Sequence, residues 1–290
     1  MKRKATALCS KNPPKNTNTG IIVHNYKINS KGIKKKVIYH FSDLHLTQYD
    51  SFSSESERKT AIKKTEFWKN GREHFANTYN EPFTAEQCKD GYTHLINLLA
   101  EAEKGDAVIM TGDICDYIST ANLRAVNKCL NGFTVPFMYV CGNHEDPKQI
   151  PDGQIVSQLK KPVQILDLDD VIIFGIDNSL RNITAVQNEQ LKKALLSEKP
   201  LIIAMHIPIM TEENKAQLEK CEEYYILNSK DATKETLEFI ELIKQNSSKI
   251  IAVLAGHLHF MNNSEIAPSV TQYVSSQGLL GNINRYEIGF

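Results

Sequence analysis

Five short apolar runs of the 290-residue chain each end in polar side chains that can bind a metal ion. The runs occupy residues 36–41, 107–110, 135–140, 201–205 and 250–255. Short apolar runs that stop at a turn-forming or polar residue are typical of buried strands. Because ligands in layered α/β folds bind beyond the carboxyl ends of strands, we expect the five polar groups to converge on one site.

The polar groups have donor atoms of one chemical kind. In chain order they are Asp43-x-His45, Gly112-Asp113-x-x-Asp116, Gly142-Asn143-His144-Glu145, His206 alone, and Gly256-His257-x-His259. Any one group could be a polar turn whose histidine is simply hydrogen-bonded, but the recurrence of such groups at five strand ends favours a functional site. Carboxylate, carboxamide and imidazole donors suit Mn, Fe or Zn better than a thiolate site or an all-oxygen calcium site. The donors exceed the needs of one ion, so the pattern predicts two transition metal ions, which can stabilise a displacement at phosphorus.

This ordered set of motifs resembles that of the calcineurin-like metallophosphoesterase superfamily, over residues 43–259. The resemblance implies an α/β fold, a β-sandwich of two mixed sheets flanked by helices. It also implies a hydrolase of phosphoric esters, in which a hydroxide bridging two metal ions attacks phosphorus without a phosphoenzyme intermediate. The expected substrate is a small phosphomonoester or phosphodiester, with nucleotides among the candidates and diesters favoured.

The resemblance also implies a role for each residue that matches a motif. The expected metal ligands are Asp43, His45 and His259 for one ion, Asn143, His206 and His257 for the other, and Asp113 as a bridge between them. His144 is expected to stay off the metals and act as general acid. Asp116 is expected to support catalysis by fixing His144 or His45, and Glu145 to be structural or supporting.

Two positions depart from the superfamily's protein phosphatases. Tyr117 and Cys141 stand where those enzymes carry arginines, which disfavours a phosphoprotein phosphatase. Any phosphate clamp beyond the metals and His144 would come from a cation of the segment between the first two motifs, where the candidates are Lys63, Lys64 and Arg72. A solvated helix face is the alternative interpretation of these three cations.

Two other hypotheses stay open. A binding module that kept the fold and lost catalysis is the alternative function, although such scaffolds usually have eroded ligands and every ligand position here is filled. Phe67 and Trp68 could stack on a base, but burial beneath the segment that carries them is favoured.

The pattern predicts a disordered basic arm over residues 1–19 and a single domain over 20–290, with a helical insertion at about 46–90. Capping-box patterns at Ser54-x-x-Glu57, Thr84-x-x-Gln87 and Thr184-x-x-Gln187 predict helix starts. We expect further helices near 121–130 and 233–245, and a lid within 207–232. The expected hairpins pair 21–28 with 36–41, 163–168 with 171–176, and 270–275 with 286–290.

Composition limits the partners. The formal net charge is zero, so overall charge does not attract the chain to membranes or nucleic acid, and nucleic-acid binding is left open. Six cysteines without a C-x-x-C pair indicate a reducing compartment. No signal peptide or bilayer-length apolar run is evident, so we expect a cytoplasmic protein without a membrane partner.

Overall fold

The computed structural model describes residues 15–16, 20–30, 32–79, 90–219 and 226–289. The strands are β1 (Lys15–Asn16), β2 (Ile22–Ile28), β3 (Lys36–Phe41), β4 (Ala107–Met110), β5 (Phe137–Tyr139), β6 (Val163–Asp167), β7 (Ile172–Ile176), β8 (Leu201–Ala204), β9 (Ile250–Ala255), β10 (Asn262–Ala267), β11 (Val270–Val274) and β12 (Asn282–Ile288). The helices are α1 (Glu55–Tyr79), α2 (Gly91–Ala102), α3 (Thr120–Leu130), α4 (Ala185–Ala194), α5 (Lys215–Leu218) and α6 (Lys234–Gln245).

The strands form two six-stranded sheets, in the orders β1-β2-β12-β3-β4-β5 and β10-β11-β9-β8-β7-β6. Both sheets are mixed: β3, β4 and β5 run parallel, as do β7, β8, β9 and β11, while β12 is antiparallel to β3 and β10 to β11. Every residue of β4 and β8 is buried, as expected of parallel strands covered on both faces.

The sheets pack face to face around a shared apolar core. Ile109 and Met138 of the first sheet belong to the same buried cluster as Ile173, Ala204 and Leu254 of the second. Full burial of such a side chain is worth about 1.5–3 kcal/mol relative to exposure. This cluster therefore accounts for much of the attraction between the two sheets.

Helices cover the outer faces of both sheets. Leu95 of α2 and Val126 of α3 pack in the apolar cluster of the first sheet, whereas Leu191 of α4 and Phe239 of α6 pack in that of the second. The resulting architecture of two mixed sheets flanked by helices confirms the predicted fold class. No helix in the described part of the chain combines the length and the apolar character needed to cross a bilayer.

Two of the predicted helix starts are confirmed. The Ser54 amide donates to Glu57 Oε2 at 2.7 Å and the Glu57 amide donates to Ser54 Oγ at 3.2 Å, closing the capping box of α1. Thr184 caps α4 in the same way. Helix α2 begins at Gly91 with Asp90 as its N-cap, and the predicted start at 84–87 lies outside the described residues.

The hairpin predictions had mixed outcomes. Strands β6 and β7 form the predicted antiparallel hairpin. The other two hairpins are wrong, because β12 lies between β2 and β3, and β11 belongs to the opposite sheet. Strand β12 is buried at five of its seven positions, so an interior place in a sheet suits it better than a terminal hairpin. Strand β10 escaped prediction because it opens with Asn-Asn-Ser-Glu, residues that are poor strand formers.

Three predicted segments are only partly described. Within the predicted arm at 1–19, Lys15–Asn16 forms β1 and pairs with β2, so at least these two residues have a defined partner. The predicted insertion at 46–90 contains α1, with 80–89 outside the described residues. The predicted lid at 207–232 contains the short α5, with 220–225 outside them.

Candidate metal centre

The turns that follow the strands hold their polar residues in an uncommon backbone conformation. Of the eight described non-glycine residues with positive φ, five are predicted ligands: Asp43 (55°), His45 (47°), Asp113 (52°), His257 (74°) and His259 (60°). Few non-glycine residues adopt this region, and those that do cluster at functional sites, where surrounding contacts maintain them. Here the Leu44 and His45 amides both donate to the Asp113 carbonyl at 2.9 Å. The first two turns therefore hold each other in place.

Two glycines let these turns approach one another. A Cβ atom on Gly142 would lie 2.1 Å from Asp113 Oδ1, and one on Gly256 would lie 2.0 Å from Ser42 Oγ. Both separations are far below van der Waals contact. Only glycine therefore allows the turns after β5 and β9 to pack against their neighbours.

The first group of candidate ligands is Asp43, His45 and His259, whose ligand atoms lie within 4.8 Å of one another. The Nε2 atoms of His45 and His259 are 2.9 Å apart, and His259 Nε2 lies 3.5 Å from Asp43 Oδ1. Asp43 is completely buried, and its Oδ1 atom has no hydrogen-bond partner. A metal ion bound here would compensate this buried oxygen.

The second group is Asp113, His206 and His257, with Asn143 beside it. His206 Nε2 lies 3.2 Å from Asp113 Oδ2, 2.9 Å from Asn143 Oδ1 and 3.2 Å from His257 Nδ1. The charge of Asp113 also acts on both Asp43 and His45 of the first group. Asp113 therefore interacts electrostatically with residues of both groups.

The separations between donor atoms fit transition metal coordination. With bonds of about 2.1 Å, neighbouring ligand atoms are about 3.0 Å apart at right angles and about 3.4 Å apart in a tetrahedron. The five separations between donors in the two groups run from 2.9 to 3.5 Å. Nitrogen and oxygen donors at these spacings fit one ion in each group.

The protonation states are also suited to metal binding. Burial lowers the pKa of His45 to about 4 and that of His257 to about 3, so both imidazoles are neutral. Burial alone would raise the pKa of Asp43, but the nearby imidazole of His259 and the charge of His206 lower it to about 2. Burial likewise lowers the pKa of His206, yet the charge of Asp113 raises it to about 9, so binding of a metal there would release a proton.

His144 lies beside the ligand groups, with its side chain 31% exposed. Its Nδ1 atom is 2.9 Å from the Asp116 carbonyl oxygen and 3.1 Å from Asp116 Oδ1. His45 Nδ1 is 3.2 Å from the same Oδ1 atom, so Asp116 contacts both histidines that the sequence linked to it. Burial lowers the pKa of His144, but the hydrogen bond to Asp116 raises it to about 9, which favours a protonated imidazole.

Glu145 ties two of the turns together. Its carboxylate accepts from the backbone amides of Asp113, Cys115 and Gly142 at 3.1, 2.8 and 3.0 Å, and from the Tyr139 hydroxyl. Glu145 is 2% exposed, and its partners are backbone amides and the Tyr139 hydroxyl rather than a metal-binding side-chain atom of either group. This placement agrees with the structural or supporting role expected for it.

A family model for calcineurin-like phosphoesterases matches residues 36–261, which include every motif and both ligand groups. The chain belongs to the calcineurin-like phosphoesterase family. It is a hydrolase of phosphoric esters, from a family that uses a dinuclear metal centre. A sequence comparison with curated proteins found no match.

Solved structures share the metallophosphoesterase fold. A dimetal phosphatase from Danio rerio superposes with a TM-score of 0.55 at 9% identity, covering 84% of this chain and 88% of that one. For a purple acid phosphatase from yellow lupin the TM-score is 0.48 at 13% identity, covering 90% of this chain and 46% of that one. For a 5'-nucleotidase from Candida albicans the TM-score is 0.45 at 12% identity, covering 92% of this chain and 47% of that one. The present chain thus spans about half the length of the last two proteins.

Helix α1 contributes contacts that the motifs of this metallophosphoesterase did not predict. The Trp68 indole donates to Asp116 Oδ1 at 2.9 Å, and Lys64 Nζ lies 3.1 Å from Asp116 Oδ2. Trp68 is 6% exposed, so its predicted burial is confirmed, whereas Phe67 is 60% exposed and its predicted burial is wrong. Lys64 is engaged by Asp116, Lys63 is exposed, and the side chain of Arg72 lies outside the described part. In the sequence, the only feature that could have indicated these contacts is the single tryptophan of the chain, in the segment that follows the first motif.

A cavity of about 380 Å³ lies between the start of α1 and the start of α3. Its lining includes Glu57 and Thr60 of α1, Tyr117 next to Asp116, and Gln154. None of the described residues that line it is a lysine or arginine. The cavity therefore suits an uncharged polar group better than a phosphate.

Proposed function

We propose that this metallophosphoesterase hydrolyses small phosphodiesters, including nucleotide esters, at two transition metal ions. The observation that supports this most is the pairing of two ligand groups with a partly exposed His144 held beside them by Asp116. Mn, Fe and Zn are the candidate ions, because the donors are imidazole nitrogens with carboxylate and carboxamide oxygens.

The surroundings of the metal centre favour diesters over monoesters. A monoester phosphate carries up to two negative charges, whereas a diester carries one. Tyr117 and Cys141 supply no positive charge, and Lys64, the cation that the structure places on Asp116, is already paired. A diester carries less negative charge and therefore needs fewer positively charged side chains beside the metal ions.

The side chains divide the work of the proposed reaction. When bound, the ions would supply a hydroxide nucleophile near neutral pH and offset charge on the phosphoryl oxygens. His144, held through Nδ1 by Asp116, would donate its Nε2 proton to the leaving oxygen. The leaving group is proposed to lie in the cavity beside Tyr117.

The first test combines metal analysis with a substrate screen. Purified protein, reconstituted with Mn²⁺, is assayed on bis-p-nitrophenyl phosphate, p-nitrophenyl phosphate, cyclic nucleotides and mononucleotides. We expect bound metal and a kcat/KM at least tenfold higher for the diesters. A reversed preference would refute the diester assignment. Protein that holds no transition metal and turns over none of these esters would instead support the binding-module alternative.

Two substitutions separate metal binding from acid catalysis. Asp113→Asn should lose metal, and unchanged metal content would contradict its bridging position. His144→Ala should keep its metal and lose about 10²- to 10⁴-fold in kcat on esters with alkyl leaving groups. The loss should be smaller with nitrophenolate, which needs little protonation to leave. His74→Ala, a substitution of an exposed histidine outside the motifs, is the matched control.

A further inference from the structure

Two described side chains of helix α1, Trp68 and Lys64, contact the candidate metal centre. Among its described side chains, the buried apolar residues are Ala61 and Trp68, while Ile62 and Phe67 are 52% and 60% exposed. A helix normally buries an apolar stripe along its whole length. In α1 the face that points inward instead brings Trp68 and Lys64, one turn apart, to Asp116.

Trp68 makes two different contacts there. Its ring stacks on His45, with centroids 3.9 Å apart and an angle of 24° between the planes. Its indole N–H donates to Asp116 Oδ1 at 2.9 Å. Trp68 therefore touches one candidate ligand directly and the carboxylate that holds that ligand.

Four side-chain nitrogen atoms lie close to the Asp116 carboxylate, and those of His45 and Trp68 form hydrogen bonds with it. Its Oδ1 atom faces His45 Nδ1, His144 Nδ1 and Trp68 Nε1 at 3.2, 3.1 and 2.9 Å, and its Oδ2 atom faces Lys64 Nζ at 3.1 Å. A buried carboxylate with this many partners has little freedom to rotate. Because His45 Nδ1 and His144 Nδ1 both lie beside the same oxygen, a rotation of the Asp116 side chain would change the surroundings of both rings, with His144 Nδ1 keeping the Asp116 carbonyl oxygen as a second partner.

We propose that Trp68 is a positioning residue for this hydrolysis, which fixes Asp116 together with Lys64 and thereby sets the ring orientations of His45 and His144. The inference rests on the proposed function, since it concerns a metal ligand and the general acid of that reaction. Residues that orient metal ligands typically change metal affinity or activity by about 10- to 100-fold when replaced. Helix α1 is then part of the active site.

The first measurement uses the fact that Trp68 is the only tryptophan in the chain. Chelator-treated protein is titrated with Mn²⁺, a paramagnetic quencher, while indole emission and bound metal are recorded together. We expect saturable quenching that follows metal uptake. Metal uptake with unchanged emission would place the indole away from the ion and overturn the inference.

The second measurement removes the indole N–H but keeps an aromatic ring. Trp68→Phe should weaken Mn²⁺ binding by about tenfold, measured by competition with a metal indicator, and should lower kcat. Lys64→Met tests the other anchor of Asp116 and is expected to have a smaller effect in the same direction. The matched controls are Ile62→Ala and Lys69→Met, two exposed positions of the same helix.

A double-mutant cycle separates positioning from general stabilisation. In an Asp116→Asn background, Trp68→Phe should change metal affinity and kcat less than twofold. The Asp116 carboxylate, through which Trp68 is proposed to act on the histidines, has already been replaced there. An equal effect in both backgrounds would show that Trp68 does not act through Asp116 and would refute the proposal. Failure of the proposed function has a different signature, since wild-type protein would then bind no metal and turn over no ester.

Discussion

Replacing Gly142 by alanine is the most direct perturbation of the metal centre, because the distances from the added methyl group to its neighbours follow from the structure. The new Cβ atom would lie 2.1 Å from Asp113 Oδ1 and 2.3 Å from the Asp113 amide nitrogen. Ordinary contacts of this kind begin at about 3.4 Å, so either the carboxylate or the turn must move by about 1 Å. A misplacement of about 1 Å at a reacting centre costs about 100-fold in rate.

We therefore expect Gly142→Ala to lower kcat/KM by about 100-fold, equivalent to about 2.7 kcal/mol of transition-state stabilisation, and to reduce bound metal. Metal content is measured by elemental analysis and turnover on a phosphodiester, with circular dichroism to verify folding. Gly91→Ala is the control, because its Cβ atom would meet neighbours no closer than 3.4 Å. A folded Gly142→Ala protein with wild-type metal content and kcat/KM within threefold of wild type would refute this reasoning.

Three further predictions concern metal removal, acid stability and the cavity. Stripping the metal with a chelator should lower Tm by about 5–10 °C if an ion is present at about 100 times its Kd, worth about 2.7 kcal/mol; an unchanged Tm would count against ion binding in the native state. Burial lowers the pKa of His40 from 6.5 to about 3, so it stabilises the fold above pH 6.5 and this contribution is lost as the pH falls towards 3. At pH 5 the loss is about 2 kcal/mol, and urea unfolding should show a flatter pH dependence in His40→Gln than in wild type. Thr60→Phe, which fills the cavity, should raise KM severalfold for diesters with large leaving groups and leave methyl esters unaffected; equal changes for both would place the leaving group elsewhere.

Local sequence signals predicted the strands that support the metal centre and the polar groups that follow them. Strands β4 and β9 have the predicted bounds, because an apolar run that stops at a polar turn needs no distant information. The convergence of the motifs on one crevice follows equally from the common direction of parallel strands. Asp43 follows a strand of the first sheet and His259 a strand of the second, so their proximity also depends on how the two sheets pack.

Pairing between distant segments was not predictable in the same way. Strand β12 could not be placed between β2 and β3 from its own residues, because strand order is decided by which surfaces remain to be buried. The contact of Trp68 with Asp116 joins residues 48 positions apart, and one of them lies on a helix whose pattern is mostly polar. No motif marks such a contact.

The late position of β12 in the chain has a consequence for synthesis. The Gly278 and Leu279 amides donate to the carbonyls of Ser42 and Asp43 at 2.7 and 3.2 Å, so the turn that carries the first ligand is held by backbone just before β12. During translation at about 5–20 residues per second, that turn lacks this part of its support until residues 278 and 279 have been synthesised. We therefore expect stable metal binding only after this segment has been made. A nascent chain that stalls between residues 260 and 277 would carry every candidate ligand side chain and still lack the two hydrogen bonds that Gly278 and Leu279 donate to the turn of Asp43.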